Sequence, residues 1–235
     1  MDSLEGKGLL KHGIIGASGR SVPTFPAYVD TTYAGTTTGG PITVARPDIT
    51  GANFLIAFCA SSYVYSDFTP PSGWTRIAAL KSDCGNDVTI DVFYRVIASE
   101  PANYTFSFPG STSDVVAAIS SFSGVDTADP FDGYENGGEC PGRTYDLFPA
   151  LTISANNRTV ISYIATEVER TDMVTPPTFD AQFTDIFLTS LGVSALQWGA
   201  AYADNVSAGS VNPKWTVPIP GQDGFSAAIA LKGAT

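Results

Sequence analysis

From Tyr28 onward the chain is a nearly unbroken series of short apolar segments, each cut after a few residues by Gly, Pro, Asn or Asp. That spacing suits strands and is too short for helices. The segments are "AYVDTTYAG", "PITVARP", "NFLIAFCAS", "WTRIAALK", "VTIDVFYRVI", "YTFSFP" and "DVVAAISSFSGV". After an irregular stretch at 126–149 come "ALTIS", "RTVISYIATEV", "FTDIFLTSL", "SALQWGAAYA", "KWTVPI" and "FSAAIALKG". In "VTIDVFYRVI", Val88, Ile90, Val92, Tyr94 and Val96 share one side of an extended strand, while Thr89, Asp91, Phe93 and Arg95 share the other. Alternation with period 2 predicts a sheet with one buried face. Charged residues are only 15% of the chain, and no tract rich in Ala, Glu, Lys, Leu and Arg argues for helix. The pattern predicts an all-β fold, an antiparallel two-sheet β-sandwich of jelly-roll-like form over residues 28–235. Residues 1–27, punctuated by Gly and Pro without a sustained period, read as an extended N-terminal arm. A chain of 235 residues buries enough surface for one such domain.

The two halves of the body, about 50–125 and 150–235, echo each other. "NFLIAFCAS" precedes "TPPSGW", and "RTVISYIAT" precedes "TPPTF" at offsets of 105 and 106 residues. "YTFSFPGSTSDVVAAISSF" is matched by "KWTVPIPGQDGFSAAIALK", with the Ala-Ala-Ile triplets 110 residues apart. Each half has material for about half a sandwich core, so the expectation is one domain with the halves interleaved as two sheets.

The charge is uneven. Net charge is −11; through residue 20 three bases face two acids, and the remainder has nine bases against twenty-one acids. A body so acidic repels phosphate, which argues against nucleic acid as a partner. No apolar run is long enough to cross a membrane as a helix. Lys11, His12 and Gly13 break "GLLKHGII", so no signal-peptide core is expected there. Of three cysteines, Cys59 sits in an apolar run and reads as a small core residue. Cys84 and Cys140 lie in Gly- and Asp-rich turns, where they could pair or stay free.

Candidate sites are few. Trp74, in the rigid corner "TPPSGW", could stack on a sugar or plug the sandwich; Phe179 in the second copy favours the plug. Asp126, Asp129, Asp132, Glu135 and Glu139 recur every third or fourth residue without EF-hand alternation, which reads as an acidic surface loop. His12 is the chain's single histidine and sits in the glycine-rich arm, a poor place to hold a catalytic geometry. No phosphate-binding loop or Cys/His metal spacing is present. The expectation is a protein without catalytic residues, metal or cofactor. In the arm, Leu9, Leu10, Ile14 and Ile15 form apolar pairs beside Lys7, Lys11 and Arg20. Ordering such a segment costs about 1–2 kcal/mol per residue, and burying each of those apolar side chains returns roughly 1.5–3 kcal/mol. The terms nearly cancel, so these seven residues are the candidate partner-binding set, ordered only against a partner.

The order "TPPSGWTRI…VFYRVIASEPANYTFSF…DVVAAISSFSGVDTADPFD" resembles a β-sandwich module of tailed-bacteriophage virion proteins and related bacterial surface proteins. The matching positions are Pro70, Pro71, Gly73, Trp74, Tyr94, Arg95, Val96, Glu100, Pro101, Tyr104, Gly124, Val125, Asp126, Pro130 and Asp132. The resemblance covers roughly residues 50–235 and implies a non-enzymatic structural protein of the virion, assembled in the host cytoplasm. With the arm, the expected role is capsid decoration or cement, docked on the major capsid protein as a homo-oligomer, a trimer matching the lattice threefold. The alternative is a tail- or fibre-associated module binding host-surface glycans, with Trp74, Trp198 or Trp215 exposed along a groove.

Overall fold

A computed structural model describes residues 25–62, 67–81, 88–109, 114–139, 150–167, 183–191, 196–213, 215 and 224–234. All of its regular structure is strand. The first half contributes β1 (Ala27–Thr36), β2 (Ile42–Ala45), β3 (Phe54–Ser61), β4 (Thr75–Lys81), β5 (Thr89–Val96), β6 (Asn103–Phe106) and β7 (Val115–Ser123). The second contributes β8 (Phe131–Glu139), β9 (Leu151–Ile153), β10 (Arg158–Glu167), β11 (Thr184–Leu191), β12 (Leu196–Val206), β13 (Gly209–Val211) and β14 (Gly224–Leu231). Every pairing is antiparallel.

The fold is an all-β sandwich of two five-stranded sheets, β1-β7-β3-β5-β4 and β11-β12-β10-β14-β8, with two-stranded ribbons β2-β6 and β9-β13. Each five-stranded sheet comes wholly from one half of the chain. The halves therefore do not interleave as a jelly roll would require; they face each other as two layers. Their strand orders are the same once seven is added to each number in the first half. Two irregularities repeat as well. In β1 one residue after Tyr28 is squeezed out of register, and in β8 one residue after Phe131. In β4 the extra residue follows Arg76, and in β11 it follows Asp185. Such bulges bend and twist a strand locally, so matched bulges give the two sheets matched curvature.

Register corrects one part of the echo. Ile56 lies opposite Ser120, and Ile161 opposite Ile229. With β3 and β10 held 105 residues apart, β7 and β14 are therefore 109 apart, one short of the Ala-Ala-Ile offset. A one-residue slip exchanges the two faces of a strand, so only the 109 spacing keeps Ala118 and Ala227 both in the central core.

That core lies between the sheets and joins Phe54, Ile56, Phe58, Val92 and Phe122 of the first half to Ile161, Tyr163, Trp198, Ile229 and Leu231 of the second. Phe58 and Tyr163 are counterparts in the two halves, and they stack on each other, 4.9 Å between centroids and 6° between planes. Tyr28 stacks on Tyr202 at 4.2 Å. The counterparts of that pair, Phe131 and Tyr94, also meet, edge to face at 5.1 Å. A residue that touches its own counterpart, with a reciprocal pair elsewhere, is the signature of a twofold interface. Here it lies inside one chain.

The strands are buried on more than one face. Residues 89–93 of β5 are all buried. The single buried face expected for this strand is thus corrected: the ribbon β2-β6 and Phe68 cover the outer side, closing a second cluster of Leu55, Ala57, Cys59, Trp74, Phe93, Tyr104 and Phe106. Asp91, read as solvent-facing from alternation, has no exposure. The irregular stretch after 126 is also corrected, because residues 131–139 form the edge strand β8, paired along its length with β14. Glycine and acidic residues hide it from a period-2 search. It extends because Phe131 and Tyr134 pack on the central core and because a neighbouring strand supplies hydrogen-bond partners. Likewise β13 carries no apolar alternation and exists through its pairing with β9.

Candidate attachment site and the residues around it

Pro26 and Tyr28 fasten the start of β1 to the second half. The buried Thr159 hydroxyl lies 2.6 Å from both the Pro26 carbonyl oxygen and Asp204 Oδ1. The Tyr28 amide donates to Asp204 Oδ1 at 3.3 Å, while its ring stacks on Tyr202. Burial raises the Tyr28 hydroxyl pKa above its usual value. Thr159 is also opposite Leu231 near the end of β14, so the chain enters and leaves the body at one end of the sandwich. The candidate partner-binding residues Lys7, Leu9, Leu10, Lys11, Ile14, Ile15 and Arg20, together with His12, lie outside the described residues, as do Cys84, Cys140 and Phe179. What the structure gives is their point of attachment, held rigidly across both sheets.

The residues of the motif "PPSGW…YRV…EPANY" converge on Glu100. Its carboxylate pairs with Arg95 Nε at 2.8 Å, accepts the Ala98 amide at 2.9 Å and accepts the Tyr104 hydroxyl. Arg95 Nη1 reaches the Ser72 carbonyl at 2.7 Å. The guanidinium therefore passes over Gly73, whose φ of +88° and lack of a Cβ both make room. Trp74 packs edge-on to Tyr104 and Phe106. Burial pushes the Glu100 pKa up, but the Tyr104, Ala98 and Arg95 hydrogen bonds outweigh it and leave it below the usual carboxylate value. Burial and the Glu100 carboxylate both hold the Tyr104 hydroxyl well above its ordinary pKa.

A second buried carboxylate behaves in the opposite way. Asp91 Oδ2 accepts the Phe68 amide at 2.7 Å, and Oδ1 lies 3.1 Å from Arg76 Nε. Arg76 returns a bond to the Phe68 carbonyl at 2.6 Å and lies over the Phe93 ring. Asp67 is bound by Lys81 at 2.6 Å, which lowers its pKa. For Asp91, desolvation exceeds these favourable contacts and raises the pKa to about 6. The neighbouring Cys59 thiol is buried and free, its pKa pushed up by burial and by Asp91.

The three tryptophans are buried, at 8% exposure for Trp74, 2% for Trp198 and 1% for Trp215. The candidate ligand role of Trp74 is corrected accordingly: its ring fills the outer cluster and presents no platform to a sugar. The acids of 126–139 have separate tasks. Asp126 caps the Ala128 and Asp129 amides, Asp129 pairs with Lys232, and Asp132 binds Ser154 and Arg158. Among the described residues no group of three His, Cys, Asp or Glu side chains is placed to hold a metal ion.

Sequence reasoning missed Thr159, Asp204 and Pro26 as the clamp, because the contact spans 133 residues and leaves no local trace. It also gave no place to Tyr33, an exposed ring on the outermost strand of its sheet. Comparison with known proteins adds no identity: no family, no curated protein and no solved structure matches the chain.

Proposed function

We propose that this chain is a non-enzymatic structural subunit of a tailed-phage virion, most simply a capsid decoration or cement protein. In this reading the sandwich is a rigid body, and residues 1–24 attach it to the major capsid protein or another virion component. The proposed subunit is a homo-oligomer, a trimer where it sits on a threefold of the coat. The observation that carries the reading is the convergence on Glu100. The motif residues that resemble the virion module are joined to one another by an ion pair, hydrogen bonds and ring packing. A motif whose members spend their polar atoms on each other is scaffolding, and a shared scaffold is what a structural module would preserve. The clamp at Pro26 and Tyr28 supports the second part, since a tether transmits load only if its root is fixed.

Deletion of residues 1–21 tests it. The expected result is a folded sandwich, judged by its thermal transition and far-ultraviolet circular dichroism, that no longer enters particles. Particles carrying the truncated protein at normal copy number would refute the attachment role. Hundreds of copies per particle would support capsid decoration, and a handful would move the subunit to the tail.

A further inference from the structure

Because the fold repeats itself, each half serves as a control for the other. The edge strands β1 and β11 lie on one side of the sandwich, and β8 and β4 on the other. On the first side Tyr33 of β1 stacks on Phe187 of β11 at 4.6 Å, edge-on to Trp198 at 5.4 Å. Leu191 of β11 closes over Gly35, where any side chain would collide with it. Tyr33 is 51% exposed. On the second side the counterparts of Tyr33 and Phe187 are Asn136 and Ala78. Tyr33 lies opposite Ala118 as Asn136 lies opposite Ala227, and Phe187 and Ala78 both follow the shared bulge. The fold thus builds this corner twice and needs no aromatic stack to do so.

A second departure from symmetry falls on the same strand. β8 is reached through Gly124–Pro130, a short connection bonded to Lys232 and Ala234. β1, its counterpart, is reached through residues 1–24, with their apolar pairs and bases. The charged residues of β1 and β11 are Asp30 and Asp185, both acids, opposite in sign to Lys7, Lys11 and Arg20, which outnumber Asp2 and Glu5 in the segment.

We propose that the β1–β11 side, centred on Tyr33, is the docking surface for residues 1–24 of a second copy of this chain. The inference rests on the attachment reading and names the partner of that segment. The occupant is taken from another copy because the segment joins β1 at Ala27, the end remote from Tyr33, where Pro26 and Tyr28 are tied to Thr159 and Asp204. Reaching its own Tyr33 would require a reversal along β1, whereas a second copy can present the segment directly. Addition of an extended segment to a sheet edge, with apolar side chains seated beside an aromatic, is a common recognition mode. The contact is heterologous and closes into a ring when the rotation permits.

Analytical ultracentrifugation of the full chain, Tyr33→Asn and the 1–21 deletion tests this, with circular dichroism to verify folding. The full chain is expected to self-associate and each variant alone to be monomeric. Their equimolar mixture is expected to recover a one-to-one complex, because one variant supplies the segment and the other the surface. Asp185→Lys, an exposed change, is expected to weaken association about tenfold and covers the case in which Tyr33→Asn does not fold. A full chain that stays monomeric, variants that associate as well as it does, or a mixture that fails to complement would each overturn the proposal. If the monomeric full chain still entered particles through residues 1–21, only this inference would fall and the attachment reading would stand. Self-association without incorporation would do the reverse.

Discussion

The two halves share strand order, bulges and a reciprocal aromatic contact, yet they finish their outer faces with different chemistry. The first half places charge inside: Arg95 with Glu100, and Arg76 with Asp91. The second fills the corresponding space with an indole. The counterpart of Asp91 is Gly199, and Trp215 occupies the room that a side chain there would need, donating its Nε1 proton to Ser162 at 3.0 Å. The inner faces must match each other and so are constrained together. Among the described residues the outer faces meet only segments of their own half and are free to diverge. Topology is therefore held by the central core, and the outer layers are local solutions.

Substitutions in the shared core and in the two outer layers test this contrast. The largest effect is expected at the twofold contact. Tyr163→Ala or Phe58→Ala should each remove about 3–5 kcal/mol of stability, and urea unfolding should remain one transition, because both halves share this core. Two separate transitions would show that the halves are independent. Next, Glu100→Ala leaves Arg95 and Tyr104 without their partner and should cost about 3 kcal/mol. A loss below about 0.5 kcal/mol would put the pair among surface ion pairs of little worth.

The two buried carboxylates should respond to pH with opposite sign. Asp91 has a raised folded-state pKa of about 6 against an ordinary 3.8, so the folded protein binds its proton more tightly than the unfolded chain. Its effect is a gain in stability as pH falls from above 6 toward 4, with a ceiling of about 3 kcal/mol. Glu100 has a lowered folded-state pKa. Its contribution is present above 4.5 and is lost as pH falls through the folded value. Denaturant titrations from pH 7 to pH 4 should show the gain in wild type and not in Asp91→Asn; equal slopes in both would remove the assignment. The smallest effect is expected from Ser162→Ala, which keeps the indole in place but removes the Ser162 acceptor of its Nε1 proton, at about 1–2 kcal/mol.

The strands with clean alternation or continuous apolar runs, such as β3, β5, β7 and β10, were legible because each residue's face is set by local periodicity. β8 and β13 were not, since their conformation comes from a paired neighbour rather than from their own side chains. Asp91 shows the same limit at a single position. Alternation places it on the face opposite Ile90 and Val92, but the layer that buries that face comes from β2, β6 and Phe68. Of the proposed attachment site, the seven arm residues rest on composition and lie outside the described residues, whereas the clamp at Thr159 and Asp204 and the stack at Tyr33 come from the structure.

Short-range pattern in the chain was enough for the β class, for the echo of the halves and for which residues of a strand such as β5 share a side. Tertiary structure decided which strands share a sheet, the one-residue shift between β7 and β14, and the burial of Asp91 and the tryptophans. Those outcomes depend on hydrogen bonds and packing between residues far apart in the chain, where no local period carries the information.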